Sequence, residues 1–214
     1  MSISLKRLFD ILMSAFVLAV LSPLLLLLSA AIIIDSGYPV FFSQDRVGRG
    51  FRKFRLRKFR TMQTGLSGSL ITVAGDSRIT NLGRLLRNAK LDEVPQFWNV
   101  LRGEMSVVGP RPEVSEYVEL YHERYRRILA VRPGITDLAS IHFRNEEAIL
   151  AMSRDPLRDY RERILPMKLD LADRYLQTRS IFGDFAIIVR TAMIIARGSR
   201  TRIKSADSRT KFSQ

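Results

Sequence analysis

Apolar and polar positions are unevenly divided along this chain. From Ile11 to Ile34 no residue is charged, and Leu, Ile, Val and Ala dominate. As one helix that run would be roughly 36 Å long, enough to cross a bilayer. It is too long for the apolar part of a cleaved signal peptide, and no small-residue cleavage site leads to a plausible mature start. Ser22 and Pro23 interrupt it midway. Proline lacks a backbone donor and crowds the preceding turn, so a kink or break is expected there. Each half is then about 12 residues, roughly 18 Å, close to the depth of one leaflet. Two arrangements remain: a kinked spanning helix, toward which the residues alone lean, or a helix–break–helix that dips into one leaflet and returns. The second needs partners for the freed backbone, and the Ser22 hydroxyl can supply one. Lys6 and Arg7 precede the run and a dense basic stretch follows it, which suits two cytoplasmic flanks.

Beyond an exit turn at residues 35–39 the period changes to two. Val40 to Gln44 reads as one strand of a hairpin, residues 47–50 as its turn and Phe51 to Thr61 as the return strand, with Phe54 and Leu56 alternating against Arg55 and Arg57. Residues 63–75, rich in Gly, Ser and Thr, read as a mobile loop. A short basic helix through Leu82 to Arg87 leads to the acidic pair Asp92-Glu93. Next come a short apolar helix with Pro95 in its first turn and Gly103 past its end, an apolar run to Val108, and a rigid Pro110-Arg111-Pro112 corner. Helical periodicity returns over 113–130, 146–152, 156–178 and 184–196. The last helix is too short and too charged to span, so it packs on the domain or lies at an interface. Residues 199–214 are polar and basic, and are expected to be disordered.

The 214 residues suffice for one cored domain with an appendage. A net charge of +14 calls for a polyanionic partner: nucleic acid, anionic lipid or phosphorylated substrate. Aromatic residues between cations over 51–60 resemble a nucleic-acid patch, but an apolar anchor just upstream favours a membrane surface. With no cysteine and only two histidines, His122 and His142, thiolate and His-based metal sites are disfavoured.

No nucleophile elbow, Walker A loop or dinucleotide fingerprint occurs. What remains is Asp92-Glu93 with a set of cations: Lys58, Arg60, Arg78, Arg87, Arg111 and Arg132. Taken alone, the acidic pair reads as a helix N-cap and first-turn acid. With the cations it suits Mg²⁺, which takes one or two carboxylates together with substrate phosphates, and phosphoryl transfer.

Several segments occur in order: Lys6-Arg7-Leu8-Phe9-Asp10 ahead of the interrupted apolar run, Gln44-Asp45-Arg46-Val47-Gly48, Lys58-Phe59-Arg60-Thr61-Met62, Leu91-Asp92-Glu93-Val94-Pro95-Gln96, Asn99 to Gly103, Met105 to Pro112 and Arg132-Pro133-Gly134-Ile135-Thr136. Together they resemble the bacterial sugar transferase family, the monotopic phosphoglycosyl transferases, over about residues 6–196. Lys90 stands where that family usually has Ser. Asp137, with Ala139 and Ser140 after it, departs from the usual Gly and Gln-Val, in a loop expected near the donor sugar.

The resemblance implies transfer of a phosphosugar from a UDP-sugar to a polyprenol phosphate such as undecaprenyl phosphate. UMP is released, and the product starts a bacterial surface glycan such as an exopolysaccharide or lipopolysaccharide. It implies Asp92 as nucleophile and Glu93 as Mg²⁺ ligand or proton carrier, with Asp92 and Glu93 as the metal pair. Lys58, Arg60, Arg87, Arg111 and Arg132 become phosphate ligands. It also implies the re-entrant form with Ser22 and Pro23 at the break, and a catalytic domain on the cytoplasmic face of the inner membrane against anionic lipids, with no nucleic-acid partner. The expected architecture is α+β and mainly helical: a re-entrant membrane helix at 1–36, a small globular catalytic domain at 37–198 with a short β-hairpin and interfacial amphipathic helices, and the tail. Two rival readings are a membrane-tethered nucleic-acid binder and a non-catalytic membrane scaffold whose acidic pair is only a cap.

Overall fold

A computed structural model describes residues 3–65 and 71–197; the tail expected at 199–214 lies outside them. Fourteen elements are named here. Helix α1 (Ile3–Ser36) precedes a hairpin of β1 (Phe41–Val47) and β2 (Lys53–Phe59). Then follow α2 (Asn81–Asn88), α3 (Gln96–Leu101), β3 (Ser106–Val108), α4 (Ser115–Leu120), α5 (His122–Ile128), β4 (Gly134–Thr136), α6 (Leu138–His142), α7 (Glu146–Ala151), α8 (Pro156–Asp159), α9 (Leu165–Thr178) and α10 (Ile181–Ala196).

The expected break at Ser22-Pro23 is not a break in secondary structure. Helix α1 runs uninterrupted through Pro23 for 34 residues, and the Ser22 hydroxyl donates to the Ala19 carbonyl at 2.8 Å. Proline removes only one donor, the one that would reach the Ala19 carbonyl four residues back, and the Ser22 hydroxyl takes that carbonyl instead. Both ends of α1 rest on the same domain. Near the start, Met13 packs on a core formed by β2, α3, β3 and α10, and Ser14 is fully buried. Near the end, Ile32 is buried against Phe59 and Leu86, with Leu25 and Leu28 alongside. Between these contacts, Phe16, Val20, Leu26 and Leu27 stand exposed. About 33 Å of helix separates Asp10 from Ile32.

The hairpin forms as its alternation dictates. Phe54 and Leu56 face inward while Lys53, Arg55 and Arg57 face solvent, in a register that pairs Gln44 with Leu56 and Val47 with Lys53. Helix α3 is tied to this hairpin by Asn99, which is fully buried. Asn99 accepts the Arg57 N–H at 3.1 Å and donates to the Arg55 carbonyl at 2.7 Å and to Glu104 at 2.6 Å. Such a side chain replaces the missing third strand.

A second sheet was not anticipated. The residues read as a turn at 132–136 instead supply β4, which pairs in parallel with β3, Ser106 opposite Gly134 and Val108 opposite Thr136. Parallel strands need a crossover, and α4 and α5 provide it. The pair crosses so closely beyond β3 that a Cβ on Gly134 would sit 2.1 Å from the Gly109 nitrogen; no other residue fits. The single helix expected over 113–130 is split at Tyr121, whose φ of −124° and ψ of 38° leave the helical region. The stretch 156–178 carries a π turn at Tyr160–Ile164 between α8 and α9.

Replacing Asn99 by Ala strands a buried donor and a buried acceptor on β2. The expected loss is about 2–3 kcal/mol, read as a lower thermal unfolding midpoint of the detergent-solubilised protein. An unchanged midpoint removes Asn99 as the tie.

Candidate active site

The acidic pair lies in one tight 3-10 turn, Leu91–Glu93, between α2 and α3. The cap reading fails on position: Asp92 is inside that turn, and the residue that caps α3 is Pro95. The turn is entered through Lys90 in the left-handed conformation, φ 56°, a backbone state that costs a side-chain-bearing residue roughly 1–2 kcal/mol. The reversal folds both carboxyl groups inward.

Their surroundings then diverge. Glu93 accepts from Lys58 Nζ at 3.1 Å and from Arg111 Nη2 at 2.6 Å, with Arg111 Nη1 at 3.3 Å from its second oxygen. Burial alone would push its pKa up, but Arg111 and Lys58 outweigh that and hold it well below the usual carboxylate range. Asp92 is buried, and its Oδ1 has no hydrogen-bond partner. Burial pushes the Asp92 pKa up, against the pull of Lys58 and helped by the charge of Glu93. Burial likewise pushes Lys58 down, offset in part by Glu93. One carboxylate is thus a fixed counter-ion, and its neighbour is a desolvated base with an idle oxygen.

Arg111 is held from two sides. Its guanidinium grips Glu93, and its backbone N–H donates to Asp137 Oδ2 at 3.2 Å. The other Asp137 oxygen accepts the Ser140 N–H at 2.6 Å and caps α6. The prolines on either side of Arg111 are buried, so the corner is rigid.

The five predicted phosphate ligands do not converge. Lys58 and Arg111 join the acidic pair. Arg87 stands at its edge, bonded to Thr61 and Glu147, and its charge still reaches Asp92. Arg60 is buried, with its guanidinium on Ser36 and the Gly37 and Tyr38 carbonyls; it locks the exit of α1. Arg132 donates to the Gly103 carbonyl and feels Arg7 and Asp10, not the acidic pair. Arg60 and Arg132 therefore stand apart from the acidic pair. Arg78 pairs with Asp76. Three contributors were missed as site residues: Lys90, whose charge acts on both acids, Asp137, and Glu113. Glu113 takes Arg46 at 3.1 Å and the Tyr160 hydroxyl at 2.6 Å just past the corner. The sequence signal for Lys90 and Asp137 was their departure from the family pattern. A polar crevice of about 690 Å³ lies apart, lined by Asp35, Gln63, Asn81 and Arg84 among others, and not by the acidic pair.

Among the described residues no group of three or more His, Cys, Asp or Glu gathers for a metal. Two adjacent carboxylates with an idle oxygen fit a hard cation that takes its other ligands from phosphate and water.

The model of the family described as bacterial sugar transferase matches residues 1–198. A UDP-glucose:undecaprenyl-phosphate glucose-1-phosphate transferase of Caulobacter vibrioides is 38% identical over 193 residues, 87% of this chain and 67% of its own. The exopolysaccharide production protein ExoY of Rhizobium meliloti is 34% identical, over 91% of this chain and 87% of its own. A UDP-N-acetylgalactosamine-undecaprenyl-phosphate N-acetylgalactosaminephosphotransferase of Aeromonas hydrophila is 35% identical over 92% of this chain, which spans only 45% of that protein.

The two carboxylates differ in what they do for stability. Glu93→Gln leaves two half-buried cations without their counter-charge and should cost about 1.5–3 kcal/mol. Asp92→Asn removes a poorly solvated charge and should leave the unfolding midpoint unchanged or raised. Thermal unfolding of both variants checks the contrast.

Proposed function

The chain belongs to the bacterial sugar transferase family, and from that premise we propose that it moves a phosphosugar from a UDP-sugar to undecaprenyl phosphate and releases UMP. The observation that carries this reading is the buried, unpartnered Asp92 oxygen beside a Glu93 already neutralised by Lys58 and Arg111. A carboxylate meets an anionic diphosphate with repulsion of roughly 4 kcal/mol per charge pair at 4 Å and an effective dielectric near 20. Counter-charge is at hand: Lys58, Arg111, Lys90 and Arg87 surround the two acids.

In the proposed reaction an Asp92 oxygen attacks the β-phosphorus. The bond from that phosphorus to the bridging oxygen breaks, and UMP leaves with the electron pair. An oxygen of the polyprenol phosphate then attacks the same phosphorus, breaks the aspartyl ester and restores the carboxylate. Carboxylates act this way in aspartyl-phosphate chemistry. Lys58 and Arg111 face the transferring phosphoryl group and stabilise its charge. Asp92 and Glu93 would hold Mg²⁺ with phosphate oxygens of the donor. That ion supplies further charge neutralisation.

For placement we propose a re-entrant α1 on the cytoplasmic face of the inner membrane. A straight spanning helix would put its ends on opposite sides of a hydrocarbon core about 30 Å thick. Here residues 6–14 and 25–32 both contact one domain. The exposed cations of β2, Lys53, Arg55 and Arg57, then face anionic lipid headgroups and not nucleic acid. We place the reaction at the start of surface-glycan assembly; a relative named as an exopolysaccharide production protein supports exopolysaccharide as that glycan.

Two outcomes are expected. Wild-type protein mixed with the correct UDP-sugar and no lipid acceptor should gain the mass of a phosphosugar on Asp92. Asp92→Asn should show neither the adduct nor UMP release. An unmodified wild type that still turns over excludes the covalent route. Because Asp92 must be ionised to attack, kcat/KM should fall with decreasing pH along a limb above the ordinary aspartate range near 3.9. Lys58→Met removes the cation that opposes this rise, so the limb should move to still higher pH. A limb that stays put, or moves down, excludes Lys58 as that cation.

A further inference from the structure

The first two turns of α1 do more than enter the membrane-facing run. Asp10, buried, accepts the Val107 N–H at 3.0 Å and the Ser106 hydroxyl at 3.0 Å. Lys6 donates to the Val108 carbonyl at 3.1 Å and to Asp184 at 2.5 Å. The Tyr175 hydroxyl closes the ring, 2.8 Å from Asp184 and 3.3 Å from the Val108 carbonyl. Every residue of β3 is thereby gripped by a side chain from α1, Ser106 and Val107 by Asp10 and Val108 by Lys6. Next to Lys6, Arg7 donates to the Val100 and Leu101 carbonyls at 2.6 and 2.9 Å at the C-terminal end of α3, where the Val100 carbonyl also accepts the Gly103 N–H at 2.9 Å.

These two attachment points bracket the site. Helix α3 follows the acidic turn directly. Strand β3 runs straight into Gly109, whose N–H bonds the Thr136 carbonyl, and on to Arg111, whose guanidinium completes the Glu93 cluster. None of these α1 side chains touches the acidic pair. The helix that follows the acidic turn and the strand that leads to Arg111 are thus each fixed by the same short stretch of α1.

We propose that Asp10 and Lys6 are positioning residues of the active site. By fixing β3 to α1 they set where Arg111 stands against Glu93 and the transferring phosphoryl group, so that transfer requires a seated membrane helix. The proposal rests on the phosphosugar-transfer reading. Misplacing Arg111 by a fraction of an ångström weakens stabilisation of charge that develops in the transition state more than it weakens binding of the ground state. The loss therefore falls on kcat.

The test uses the full chain in lipid nanodiscs, with UMP release measured against UDP-sugar concentration. Asp10→Ala should lower kcat about tenfold or more, with the donor KM within about threefold of wild type. Asp10→Asn keeps an acceptor oxygen for Val107 and Ser106 and should recover most of the rate. Tyr175→Phe, a milder change that removes only one hydroxyl from the ring, should lower kcat a few-fold with the unfolding midpoint nearly unchanged, and serves if Asp10→Ala does not fold. A wild-type kcat in folded Asp10→Ala, or in Tyr175→Phe if the alanine variant is lost, overturns the proposal. So does a loss confined to KM, or a rate that falls only as the membrane-bound fraction in flotation falls. A wild type that releases no UMP from any UDP-sugar defeats the transfer reading itself, and is distinguishable from a failure of the positioning role.

Discussion

The charge cluster of Glu93 with Lys58 and Arg111 is the constraint on which the site depends. It joins three separate pieces of chain: a strand of the hairpin, the acidic turn and the Pro-Arg-Pro corner. Burying charges is costly, and the cost is recovered only when partners meet in good geometry. The cluster therefore specifies one arrangement of those pieces and tolerates few others. It also divides labour between neighbouring acids. Because Glu93 satisfies the cations, Asp92 keeps an oxygen without a partner in a desolvated place. That is a poor arrangement for stability and a good one for a nucleophile.

Around this cluster the rest of the domain acts as scaffolding. Asn99 ties α3 to the hairpin, Asp137 ties the corner to α6, and Gly109 and Gly134 let β3 and β4 cross closely enough for the corner to project toward the acids. The two side chains among these, Asn99 and Asp137, are polar and buried, and each has its partners.

Much of this was legible in the sequence, for identifiable reasons. The long apolar run, the alternating hairpin and the helices over 81–88, 146–151 and 181–196 follow from local periodicity, which a linear reading captures. The acidic pair and Arg111 were found because charged residues coincide with Pro- and Gly-marked corners. Non-local facts were hidden. The β3–β4 pairing joins segments whose sequences look like a run and a turn. Arg60 and Arg132 read as ligands because each stands in a motif of the family; that each bonds a carbonyl away from the acidic pair is a fact of the folded chain alone. A kink or break was expected at Pro23, since sequence marks the missing donor but not the Ser22 hydroxyl that takes the freed carbonyl while the helix carries on. Asp10, one acid in a motif, gave no hint that it holds Val107.

The two docking points of α1 carry a mechanical consequence. Free transmembrane segments answer a change in hydrocarbon thickness by leaning. A helix clasped by its own domain near Asp10 and again near Ile32 has lost that freedom. In the proposed placement the lipids must do the adjusting: the leaflet puckers around a helix held at both ends, and the reactive turn rides at one constant height above the acyl chains whatever the membrane's composition.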